Sequence, residues 1–173
     1  ASWNLREHLR VRIVIFRGFL IMRNLFSLIV LSLATGVAFP AAAQTKLLTL
    51  KGTCQHLSGP GLKSGPCHDT LMNTSYPDGR SGLYFVSRDK QIITFSGIGK
   101  HQVKQGEDAV VQPVDLIVFG NKGNTRRLQA VGSCRFTNPY AGRATVECEA
   151  TAQTGQYRAS FISDGSTPTV LDR

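Results

Sequence analysis

After residue 43 this chain has no tryptophan, no Cys-x-x-Cys, no Gly-x-Ser-x-Gly elbow and no apolar run long enough to cross a bilayer. Each absence removes a function class. Without Cys-x-x-Cys a thioredoxin-type dithiol role has no support, and without the elbow the serine chemistry of α/β-hydrolases lacks its strand-turn-helix carrier. Gly99-Lys100 resembles the end of a phosphate loop, but Thr94 stands where the earlier glycine belongs and no hydroxyl residue follows the lysine. The backbone cradle for phosphate is therefore missing. No sustained stripe of apolar residues at helical spacing follows Gln44; only a short turn near Gln102 to Asp108 suggests helix.

What is present begins with a leader. Met22 and Arg23 make a short positive start, Leu25 to Phe39 is a run of 15 uncharged residues, and Ala41 and Ala43 place small side chains where signal peptidase reads. Such a run is short of the roughly 20 residues that span a bilayer as a helix. We therefore read 22–43 as a hydrophobic signal helix cleaved before Gln44, and 1–21, which lacks an initial methionine, as an upstream extension outside the fold. The alternative is an uncleaved anchor, in which Arg17 and Arg23 would interrupt the span at considerable cost. The expected localisation is periplasmic or secreted, with the membrane touched only through the signal.

Residues 44–173 carry 15 basic and 10 acidic side chains, a net charge of +5, against +9 for the whole chain. The arginines lie among acids rather than in a stripe, and no aromatic-basic signature of an RNA-recognition sheet occurs, so nucleic acid is not an expected partner. This segment is long enough to bury a core as one domain. Its many Gly, Ser and Thr residues, with Phe and Tyr, favour strands and turns.

Short runs with period-two alternation recur between clusters of Gly, Pro, Asn and Asp, the pattern of antiparallel β structure. The expected strands are 46–56, 68–75, 82–88, 91–97, 110–119, 126–136, 143–152 and 156–163. The fold class is all-β, an antiparallel meander of about eight strands forming a small barrel or sandwich. A turn centred on Ala141 sets Cys134 opposite Cys148 and Arg135 opposite Glu147, which puts both cysteines inward and an opposite-charge pair outward. A turn at Thr154-Gly155 then sets Ala150 opposite Ala159 and Cys148 opposite Phe161. The hairpin Leu83 to Val86 and Ile92 to Phe95 is apolar on both faces, so its second face is either covered by loops or turned to a ligand or partner.

Four cysteines in an exported chain read as two disulfides. Of the three possible pairings, the register supports Cys54–Cys67 with Cys134–Cys148, each closing a loop worth about 3 kcal/mol in the chain-entropy model. The first loop holds Gly59-Pro60-Gly61 and Gly65-Pro66, which would not keep one shape cheaply without the bridge. A metal site is the rival, because Cys54, His56, Cys67 and His68 offer thiolates and imidazoles in a short stretch. Their spacing is not that of a zinc knuckle, and an oxidising compartment removes the thiolates. No cofactor is expected.

Catalytic groups are sparse. His68, Asp69 and His101 could contribute to a loop-assembled hydrolase site, although lone loop histidines generally face solvent. Glu147 and Glu149 share a face as a glycosidase pair might, but beside Arg135 and Arg158 they read as a solvated ladder of charges. Asn73-Thr74-Ser75 matches a glycosylation sequon, a weak signal.

The signal, Gly52-Thr53-Cys54, and the hairpin Gly132-Ser133-Cys134 through Asn138-Pro139 to Val146-Glu147-Cys148 resemble short exported proteins of alphaproteobacteria. That group carries no assigned function, so the resemblance implies compartment and framework and no activity. In size and strand count alone the chain is also similar to small periplasmic eight-stranded barrels, including lipocalin-like protease inhibitors. The expected function is a non-catalytic module that binds an envelope ligand or protein. A small envelope hydrolase, or an anchored envelope protein if the signal is retained, are the alternatives.

Overall fold

The computed structural model describes residues 44–172. The upstream extension, the signal helix and cleavage positions Ala41 and Ala43 lie outside the described residues; Gln44, the expected first residue after cleavage, is exposed just ahead of the first strand. The strands are β1 (Lys46–Ser58), β2 (Thr70–Ser75), β3 (Arg80–Val86), β4 (Ile92–Ile98), β5 (Val103–Gln105), β6 (Ala109–Asn121), β7 (Asn124–Thr137), β8 (Thr145–Ala152), β9 (Gly155–Ser163) and β10 (Thr169–Asp172).

All pairings are antiparallel, and neighbours in the sheet follow chain order from β1 through β4, then β6 to β9. The sheet closes because the second half of β1 pairs with β9, Gly52 against Ser163 through Ser58 against Arg158. The result is a closed eight-strand barrel, which decides between the barrel and the sandwich. Closure removes the free edges that an open sheet would present. β5 lies beside the start of β6, and β10 beside the start of β1.

Alternation along the strands builds the interior. Val146, Cys148, Ala150 and Ala152 of β8 are buried while Thr145, Glu147, Glu149 and Thr151 are exposed, and Tyr157, Ala159 and Phe161 continue the inward set on β9. Charge outside and hydrocarbon inside is the inverse of a barrel that spans lipid. Two bulges adjust the walls, between Cys54 and His56 in β1 and between Val114 and Leu116 in β6. Each shifts the inward parity by one, so that Leu57 and Ile117 still reach the core.

Three local expectations require correction. The short turn near Gln102 to Asp108 is instead a 3-10 turn at Gly99–His101 followed by the extended β5. β10 was not foreseen, because its four residues are all exposed and show no alternation. The hairpin from β8 to β9 turns at Gln153-Thr154, which sets Ala150 opposite Tyr157 and Cys148 opposite Ala159. Gly155, with φ +129°, takes the first strand position after that turn, a conformation that suits glycine. A slip of two residues keeps every side chain on its face, so the inward set survives the corrected register.

Candidate functional site

The barrel's two ends are built from different loops. At one end lie the connection from β1 to β2 and the turns β3–β4, β6–β7 and β8–β9; at the other lie the turn β2–β3, the segment 99–108 and the loop 138–144. The first end is filled. Tyr157, Phe85, Ile93, Ile117 and Leu57 are almost wholly inaccessible there, as are Phe95, Phe161 and Leu71 at mid-barrel, opposite Leu83, Val146 and Leu50, and Phe85 meets Phe95 edge to face with centroids 5.8 Å apart. The chain after β1 then folds across this end. A Cβ on Gly59 would clash with the Tyr157 ring, Pro60 packs on Gly155, and Leu62 packs against the core. Leu57 and Gly65 exchange backbone hydrogen bonds at 2.7 and 3.1 Å, and Arg126 lays its guanidinium 5.2 Å from the Phe119 ring centroid.

Both cysteine pairs are bonded as the register expected. Cys54–Cys67 ties the covering loop to β1, and Cys134–Cys148 joins adjacent strands inside the wall. Their sulfurs are thus committed to each other. Among the described residues no group of three or more His, Cys, Asp or Glu side chains is placed to hold a metal ion.

The other end is open. A cavity of about 390 Å³ enters there, lined by Leu48, Leu50, Leu83, Phe136 and Val146, with Lys104, Glu107, Asp108 and Tyr140 among its remaining lining residues. These three charged side chains are exposed, at the rim. Such a volume lies near the lower end of the range for small-molecule pockets. Three uncharged polar side chains other than Tyr140 line it: Asn73 stands on the strand wall, while Thr137 and Asn138 at the end of β7 already accept from the Thr145 and Tyr140 backbone N–H. Asn73 Nδ2 donates to Ser81 Oγ and to the Gly82 carbonyl, each at 3.1 Å. The inward position of Asn73, opposite Leu48 and Leu83, also removes it from the surface where a glycan acceptor must lie. Deeper on the same side, buried Gln112 accepts from Gln102 at 2.8 Å, which draws the segment after the 3-10 turn over part of the opening.

The remaining sequence candidates do not gather here. His68 donates its backbone N–H to Val86 at the filled end, whereas His101 follows the far end of β4 on the open side. Asp69 pairs with Arg88 at 3.5 Å. The register thus holds His68 and Asp69 at the opposite end of the barrel from His101. On the outer wall Glu149 pairs with Arg158 at 3.4 Å and accepts from Gln156. Arg135 faces Glu147 in register, but among the described residues the two form no ion pair.

The two-sided hairpin is also resolved. Leu83, Phe85, Ile93 and Phe95 point inward, while outside them Met72, Tyr84, Thr94 and Val118 form one cross-strand row. Tyr84 is half-buried along that row, close enough that a Cβ on Gly82 would lie 3.2 Å from its ring, and its hydroxyl bonds that of Tyr76. Burial, reinforced by the Tyr76 hydroxyl, pushes the Tyr84 phenol up to about 12. Nearby, Arg80 crosses β4 to grip both Asp115 oxygens at 2.7 and 3.3 Å. That bond raises the Arg80 pKa above its ordinary value.

The open cavity was missed because its lining alternates in sequence just as the filled end does. Comparison with family models, curated proteins and solved structures finds no match to this chain.

Proposed function

We propose that this protein is an exported, non-catalytic binding barrel that takes a small apolar ligand into its open mouth. The observation that carries the reading is the contrast in filling: one end is packed and covered, while the other leaves about 390 Å³ beside five large apolar side chains. An unfilled apolar volume forfeits dispersion contacts on its walls, and a ligand that enters it recovers them. The leader at 22–43 and the two disulfides support an oxidising, extracytoplasmic compartment. The resemblance to exported alphaproteobacterial proteins agrees with that compartment.

The test uses protein exported from cells that express the full chain. Intact mass should begin at Gln44 and lack the hydrogens lost in two disulfides; retention of residues 22–43 or free thiols would overturn the export reading. A neutral naphthyl dye titrated into the same sample should bind saturably at one site. Val110→Phe, on the inward face of β6 opposite Phe136, fills the mouth and should abolish that binding without loss of fold by circular dichroism. Dye binding that ignores the filled mouth would overturn the cavity reading.

A further inference from the structure

We infer that the ligand of the open mouth is an uncharged apolar molecule that carries one hydroxyl or N–H donor, and that Asn73 Oδ1 receives it. This rests on the cavity reading above and adds the chemistry of what enters. Leu48, Leu50, Leu83, Phe136 and Val146 offer the buried part of a ligand nothing but hydrocarbon. A charge placed among them would lose its hydration without a partner; any ionised group must therefore stay at the rim with Lys104, Glu107 and Asp108.

Asn73 breaks the apolar wall in one defined way. The Gly82 carbonyl can only accept, so the atom 3.1 Å from it must be the amide nitrogen. The second N–H of the same nitrogen faces Ser81 Oγ, also at 3.1 Å. Both donors are thus used within the protein, and the amide is held in a single orientation. Its oxygen, by contrast, receives no hydrogen bond from the described residues. A fixed acceptor on an apolar wall rewards a donor and penalises a dry ligand that covers it, because a desolvated acceptor left unmatched is costly.

The experiment compares two isomers of equal volume, 1-octanol and 1-methoxyheptane, which differ in whether the oxygen carries a hydrogen. Each is titrated into the exported protein and followed by backbone amide shifts of the cavity residues. The alcohol should bind more tightly by roughly tenfold, the value of one matched acceptor. In Asn73→Leu, checked for fold by circular dichroism, the ether should still bind and the preference should vanish. Equal affinity of the two isomers in the unaltered protein overturns the inference but leaves the cavity reading standing, and needs no variant. A preference that persists in folded Asn73→Leu also overturns it. If neither isomer perturbs the cavity residues, the cavity reading itself fails.

Discussion

The two ends of this barrel are made from the same kind of strand and finish differently. At the filled end Tyr157, Phe85 and Ile93 pack with small Ala150 and Ala152, and a loop fixed by Cys54–Cys67 lies across them. At the open end Phe136 and four aliphatic side chains face a cavity, and its cover is partial. Inward alternation alone therefore produces a barrel without determining whether it is a packed core or a container. The difference lies in whether a loop has been anchored over the opening.

Matched truncations should break the symmetry most strongly. Phe85→Ala removes a ring that is 1 % exposed, and a buried Phe truncation costs about 3–5 kcal/mol. Phe136 is only partly buried and lines the cavity, so Phe136→Ala should cost well under half as much. Urea unfolding of both variants checks this. Equal losses would mean that the open end is packed as tightly as the other.

Removal of the tether comes next. Replacing Cys54 and Cys67 together by alanine should lower stability by about 3 kcal/mol, the entropy released by a loop of this length. Because the freed segment covers Tyr157 and Phe119, amide exchange should rise at the filled end and stay unchanged near Val110 and Val146. Uniform loss of protection would show that the bridge staples the whole barrel rather than one end.

Adding volume reverses the sign of the contrast. Ala159→Leu at the filled end overpacks a site 3 % exposed and should cost about 1–3 kcal/mol. Val110→Phe at the mouth should be close to neutral, since the added carbons enter space that is already there. Thermal melts of the two variants give the comparison directly.

Much of the wall was legible in sequence, and for a physical reason. Cys134 and Cys148 lie on either side of a short turn, so simple register arithmetic placed them opposite each other, and the observed ladder agrees. The next hairpin was misplaced by two residues because Gly155 follows the turn instead of forming part of it. Closure by β1 and β9 joins Gly52 to Ser163, a pairing that no local pattern announces. The cavity was hidden for the same reason. Leu48 and Leu50 alternate in β1 as Cys54 does, and only the far strands decide how much volume each meets. Asn73 read as a weak sequon, and its role emerged only once β2 turned it inward beside Ser81 and Gly82.

The smallest expected effect concerns the outer brace of the open end. Tyr76 opens the turn between β2 and β3, and its hydroxyl meets that of Tyr84 on the outer wall. Burial and this bond raise the Tyr84 pKa from 10.0 to about 12. The folded state thus holds the proton more tightly than the unfolded chain does. Between pH 10 and 12 unfolding releases a proton, so stability falls as pH rises through that window and is unaffected below it. Tyr84 is partly solvated, which keeps the loss modest. Tyr84→Phe should remove this part of the pH dependence while leaving the filled end's melting behaviour at neutral pH nearly unchanged. Urea midpoints measured from pH 9 to 12 test the sign. An identical alkaline decline in the variant would place the sensitive group elsewhere and leave the open rim braced by Arg80 and Asp115 instead.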